Sequence, residues 1–195
     1  MTDHLLGWLR IREHVPWSGL GVETGPVRGR ADGVEDFVRD RRPELLPALT
    51  RVRTADVLTF ETLASWLGLP ATFRTGPAYA KRGREHYGLH PGIERRLAEC
   101  LAEAVAPGVP VAARAARVYL DVAFFHPFPD ANARAAMLAL YFVLLRDGVV
   151  LDRAEPILLV TRRADDAEGA ADLARLVDIM IAATRRRTHR HTLPA

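Results

Sequence analysis

Apolar positions recur along this chain at helical rather than alternating spacing. Leu5, Leu6, Leu9 and Ile11 form a short amphipathic stretch that Pro16 brings to an end, because proline lacks the amide a helix needs. Residues 19–33 are glycine-rich and carry no period. Residues 34–41 and 44–52 read as two short helices parted by Pro43. Thr59 offers an N-cap oxygen, and behind it Phe60, Leu63, Ala64 and Leu67 make one stripe that Gly68 closes. Residues 93–106 form another helix, stopped by Pro107 and Gly108. Residues 111–125 are Ala-rich with Val118, Leu120, Val122 and Phe124, and run into a polar loop. Residues 132–146 are apolar enough for a buried helix, closed by Asp147 and Gly148. Asp165 with Glu168 reads as a capping box that opens a last helix through Leu173, Leu176, Val177 and Ile181. Hairpin chemistry is confined to the stretch after Phe73, rich in Thr, Tyr and Gly. No repeat or heptad appears, so the pattern predicts an all-α, orthogonal helical bundle with one small β-hairpin.

Composition narrows this picture. A chain of 195 residues, 49% hydrophobic, can bury one full core. The expected organisation is an N-terminal helical extension over residues 1–55, a main domain over 56–187 and a basic tail over 188–195. Charges nearly balance at +3, so neither a nucleic-acid partner nor a membrane surface is expected. The run Arg185, Arg186 and Arg187 reads as a solvated, frayed end. Lys81 is the only lysine, an arginine bias that suggests a GC-rich bacterial genome. The single Cys100 cannot close an internal disulfide, and Arg10, Arg12 and Glu13 interrupt any early apolar run. The longest apolar run, from Ala135, has 11 residues, short of the roughly 20 a membrane span requires. A cytoplasmic protein is expected.

The chemistry is concentrated where the polar loop meets the buried helix. His126, Asp130, Asn132 and Arg134 bring an imidazole, a carboxylate, an amide and a guanidinium together within nine residues. The first amides of a helix have no intrahelical partner, and the helix dipole adds positive potential there, so such a junction suits a phosphate group. Asp130 can hold a divalent cation beside phosphates, and Arg134 stands one turn along the helix, able to fork onto phosphate oxygens. An imidazole with an ordinary pKa of about 6.5 is a serviceable general base. Taken singly, Asp130 would pass as an N-cap, Asn132 as a turn residue and Arg134 as a solvated charge. Taken together, they describe transfer of a phosphate-containing group.

The segment His126-Pro127-Phe128-Pro129-Asp130-Ala131-Asn132-Ala133-Arg134 resembles the signature of the Fic/Doc family, H-x-F-x-[D/E]-[G/A]-N-x-R, at each fixed position. More loosely, the resemblance extends from Thr59 to Arg187. It implies a Fic-like fold and a Mg²⁺-dependent transfer from ATP to a protein hydroxyl of Ser, Thr or Tyr. By that resemblance His126 would deprotonate the acceptor, Phe128 would anchor the loop and Asp130 would bind Mg²⁺. Asn132, with the backbone around Ala131 and Ala133, would form an anion hole, and Arg134 would hold a phosphate. The stretch Arg74, Thr75, Gly76, Pro77, Ala78 and Tyr79 resembles the flap that positions the target.

Most members of that family transfer AMP, and the Doc branch transfers the terminal phosphoryl group. Nucleotidylating members usually carry a second arginine where this chain has Met137, and Doc members commonly carry a lysine where it has Ala133. AMP transfer is the leading expectation. Doc-type phosphoryl transfer, to a protein or a small molecule, and a catalytically weak nucleotide-binding module are the alternatives. Glu168 and Gly169 match the end of the family's inhibitory motif, but Ala164 stands where Ser or Thr belongs, so no internal brake is expected. A separate inhibitory protein remains open as a partner.

Overall fold

The computed structural model describes residues 2–190. Two helices form its centre, α6 (Val111–Phe125) and α7 (Asn132–Arg146), packed along one another. Residues from Ala135 to Leu144 of α7 are all buried, and a helix apolar on every side must sit inside. The small residues Ala112, Ala113, Ala115 and Ala116 let α6 pack as closely. On α6 lie α1 (His4–Arg12), α5 (Ile93–Glu103) and α9 (Ala167–His189). On α7 lie α3 (Leu46–Arg53) and α4 (Phe60–Leu67). The shorter α2 (Gly33–Arg41) and α8 (Glu155–Leu158) face each other at one flank. Thr59 caps α4 and Gly68, at φ 66°, ends it, as the stripe predicts. No helix among the described residues is long and apolar enough to cross a membrane.

The N-terminal 55 residues share the core of the rest. Trp8 Nε1 and Arg12 Nε, both on α1, donate to the fully buried carboxylate of Asp121 on α6, at 2.9 and 2.7 Å. Strand β1 (Val27–Arg28) pairs in parallel with β4 (Val149–Val150). Just beyond it the backbone at Gly33 approaches Arg153 so closely that a Cβ there would lie 2.5 Å from main-chain atoms. Gly29 and Gly33 of the glycine-rich stretch thus serve close packing.

The structure departs from the sequence reading in four places. Helix α5 stops at Glu103 rather than at residue 106, its last turn relaxing into bonds from Ala104 to Cys100 and Leu101. Asp166, not Asp165, caps α9 by accepting from Gly169 N, while Asp165 pairs with Arg163. The basic run is not frayed, since α9 continues to His189. There Arg185 donates to Glu23 and to the carbonyls of Thr24 and Gly25, and Arg187 pairs with Asp152. The Arg185 guanidinium satisfies carbonyls of the irregular segment that no sheet or helix satisfies. Residues 191–195 of the expected tail lie outside the described residues. Finally, the hairpin consists of β2 (Ala78–Ala80) and β3 (Glu85–Tyr87), antiparallel with Tyr79 opposite His86. Only the end of the expected flap is strand.

Candidate active site

Helix α6 ends at His126, whose φ of 51° breaks the helix while its amide still bonds Val122 O. The ring is fixed from two sides. Nδ1 lies 3.1 Å from Ala123 O, and since a carbonyl only accepts, Nδ1 carries the proton and Nε2 is left with its lone pair. One ring face stacks on Tyr87 of the hairpin, centroids 4.1 Å apart and planes 11° from parallel. Tyr87 is held in turn, its hydroxyl donating to Glu85 at 2.8 Å and Lys81 donating to the same carboxylate at 2.7 Å. Burial pushes the imidazole below its ordinary pKa, and the charge of Arg74 acts in the same direction. Its bond to Ala123 and the carboxylates of Glu85 and Asp130 offset part of that shift.

The loop from His126 into α7 is locked from within. Phe128 is fully buried and stacks on Phe60 with centroids 5.0 Å apart. Asn132 is 3% exposed, and its amide grips Phe128 at both ends. Asn132 Oδ1 accepts from Phe128 N, and Nδ2 donates to Phe128 O, each at 2.9 Å. The Asn132 side chain thus ties the loop to the helix start. Arg74 holds the loop from the other side. It is buried, and its guanidinium donates to the carbonyls of His126, Gly76 and Gly88. It clamps the loop and hairpin base. Thr75, Gly76 and Pro77 precede the strand, Ala78 opens it, and Tyr79, 56% exposed, stands on its surface.

The start of α7 is left open. Ala131 occupies the N-cap at φ 73° and has no side-chain oxygen, and no side chain caps the helix. Asp130, which on its own would pass as an N-cap, is instead 89% exposed and accepts from no helix amide, accepting from Arg134 at 2.7 Å. The first backbone bond of the helix runs from Ala135 N to Ala131 O, so the amides of Asn132, Ala133 and Arg134 have no backbone acceptor.

Two cavities meet at this helix start. One, of about 340 Å³, is lined by His126, Tyr87, Ala123, Tyr119, Ala133 and Arg162, among others. The next, of about 470 Å³, is lined by Ala133, Arg134, Met137, Tyr119, Arg41 and Arg42, among others. Tyr119, Ala133, Leu158 and Leu159 line both, making one trough with the base at one end and a cluster of guanidinium groups at the other. Sequence reasoning missed Tyr119, Tyr87, Arg41, Arg42 and Arg162. Tyr119, Ala123 and His126 share the i, i+4, i+7 face of α6, a signal that could have found the tyrosine. Nothing local marks the others.

A helical bundle whose two central helices are joined by this loop, with a hairpin stacked on its histidine, has the Fic-like fold. The chain is similar in structure to a Fic family protein from Desulfovibrio desulfuricans G20, with a TM-score of 0.52 at 15% sequence identity. The match covers 98% of this chain and 66% of that one, so this chain spans just under two thirds of its length. No protein-family model matches the chain, and no curated protein is significantly similar to it.

Proposed function

We propose that this protein transfers AMP from ATP to a hydroxyl of a target protein, with His126 as the general base. One observation carries the reading: the free Nε2 of His126 lies in the same trough as the uncapped first turn of α7. Nε2 takes the proton as the acceptor oxygen attacks the α-phosphorus. The bond to the β-phosphate oxygen breaks, and pyrophosphate leaves on the side away from the acceptor. The α-phosphate rests on the amides of Asn132, Ala133 and Arg134, with the Arg134 guanidinium on the departing phosphates. Met137 supplies no charge, but Arg41 and Arg42 of the N-terminal segment line the same cavity and give the terminal phosphate a cationic wall.

Mg²⁺ fits the donors present. Asp130 is an exposed carboxylate two residues before the first turn of α7, paired with Arg134, and Mg²⁺ is commonly held by one or two carboxylates together with substrate phosphates. Bound there, the ion would neutralise phosphate charge. The exposed Asp130–Arg134 pair contributes only ~0–1 kcal/mol, so nucleotide can part it at little cost.

The test is incubation with ATP labelled separately at the α and γ positions and a protein extract as acceptor, with Arg134→Ala alongside. We expect α-label in protein, and ATP affinity weakened in Arg134→Ala by about 1.5–3 kcal/mol. Incorporation of γ-label alone would assign Doc-type phosphoryl transfer instead. ATP binding with neither label incorporated would leave only the nucleotide-binding module.

A further inference from the structure

Arg162 lies in the loop between α8 and α9 and lines the His126 end of the trough. It is half-buried, its Nε is sealed from solvent without a hydrogen-bond partner, and it makes no ion pair among the described residues. Other buried arginines have partners: Arg12 has Asp121 and Glu103, Arg74 has three carbonyls, and Arg117, whose Nε is likewise without a partner, reaches Glu103. Burial lowers the pKa of Arg162, and the carboxylates of Asp172 and Asp166 act against that shift. A guanidinium stays charged at neutral pH even so. A desolvated charge without a partner is costly, and its planar fork of donors matches a carboxylate or phosphate.

Position says which substrate it meets. The cations Arg134, Arg41 and Arg42 line the far cavity, where the proposed nucleotide phosphates lie. Arg162 is on the near side, with His126 and the hairpin residues Lys81, Glu85 and Tyr87. Lys81 is already paired with Glu85. We infer that Arg162 binds an oxyanion of the acceptor, so that the modified hydroxyl of the target has an acidic or phosphorylated residue beside it. This rests on the proposed transfer, and it adds what backbone pairing to a hairpin edge cannot supply, a preference for side chains. Holding the acceptor by two points, oxyanion and hydroxyl, fixes the angle of attack.

Two measurements test it, one of them independent of transfer. With arginine Nε labelled with ¹⁵N and ADP present, acetyl-glutamate and phenyl phosphate are titrated in turn. The Arg162 Nε–H resonance, identified by its loss in Arg162→Gln, should shift and saturate with at least one of them, and which one separates carboxylate from phosphate. A resonance unmoved by both overturns the inference. Peptides with one Ser, Thr or Tyr flanked by Glu, phosphoserine, Gln or Lys are then labelled with α-labelled ATP. The anionic peptides should exceed the Gln peptides by about 10- to 100-fold. Arg162→Gln should erase that difference with KM for ATP unchanged, and Arg162→Glu should turn it toward Lys. Equal labelling of all peptides, or an anionic preference that survives in Arg162→Gln, overturns the inference. So does a raised KM for ATP, which would place the guanidinium on nucleotide. Saturable binding at Arg162 with no peptide labelled would sink the AMP transfer and leave the oxyanion site standing.

Discussion

His126 works as a base only while neutral, and burial sets where that condition ends. With the folded pKa pushed below the ordinary value of about 6.5, the neutral form persists further into acid. The sign follows: kcat/KM should hold steady as pH falls through 6.5 and decline only below the lowered pKa. An acid limb at or above 6.5 would contradict the burial of this ring. Replacing the base, His126→Ala, should cost on the order of 10²–10⁴-fold in transfer with ATP affinity nearly unchanged; retention of full transfer would remove His126 from the mechanism. Ala131 is a separate matter of backbone cost. Its φ of 73° costs an L-residue about 1–2 kcal/mol, while glycine loses roughly 0.5–1 kcal/mol more in unfolded-chain entropy. Ala131→Gly should therefore stabilise the protein by about 0.5–1 kcal/mol, read as a raised urea midpoint. A lowered midpoint would mean the methyl group packs better than the strain costs.

The loop joining α6 to α7 depends on one amide side chain. Asn132→Ala removes both bonds to Phe128 and leaves that residue's buried N–H and C=O unpaired, at about 1–3 kcal/mol for each group left unsatisfied. The expected result is a large loss of stability together with loss of transfer. A variant with full thermal stability but weak ATP affinity would assign the side chain to the anion hole instead. This distinction was invisible in the sequence, where an asparagine after a turn serves either purpose. The helices were legible because their apolar stripes, the Thr59 cap and Gly68 act locally. The hairpin was half legible: the Lys81, Arg82 and Gly83 turn, all at positive φ, has none of the usual hairpin pairs. Tyr87 and Arg162 reach the trough through tertiary packing, which leaves no periodic trace. The loop residues His126 to Arg134 were legible as a set because their chemistry is contiguous, whereas the bonds that Asn132 and Arg74 make to the loop backbone depend on tertiary packing.

At the scale of the whole molecule, the first 55 residues are bound to the rest by a buried charge. Asp121→Ala would leave Arg12 and the Trp8 N–H without their shared buried acceptor, and breaking a buried pair costs about 3–5 kcal/mol. Such a variant should unfold at much lower urea concentration, and a chain lacking residues 1–55 should show no cooperative transition. Cooperative unfolding of that truncated chain would mean the remainder has a core of its own. The same bond has a consequence for biosynthesis. Arg12 and Asp121 are 109 residues apart, so at ribosomal rates of about 5–20 residues per second the first helix waits on the order of 10 s for its counter-charge. During that interval Leu5 and Trp8 are bare on the nascent chain. Helix α1 is made long before its buried partner, which makes it a segment where chaperones would be expected to hold.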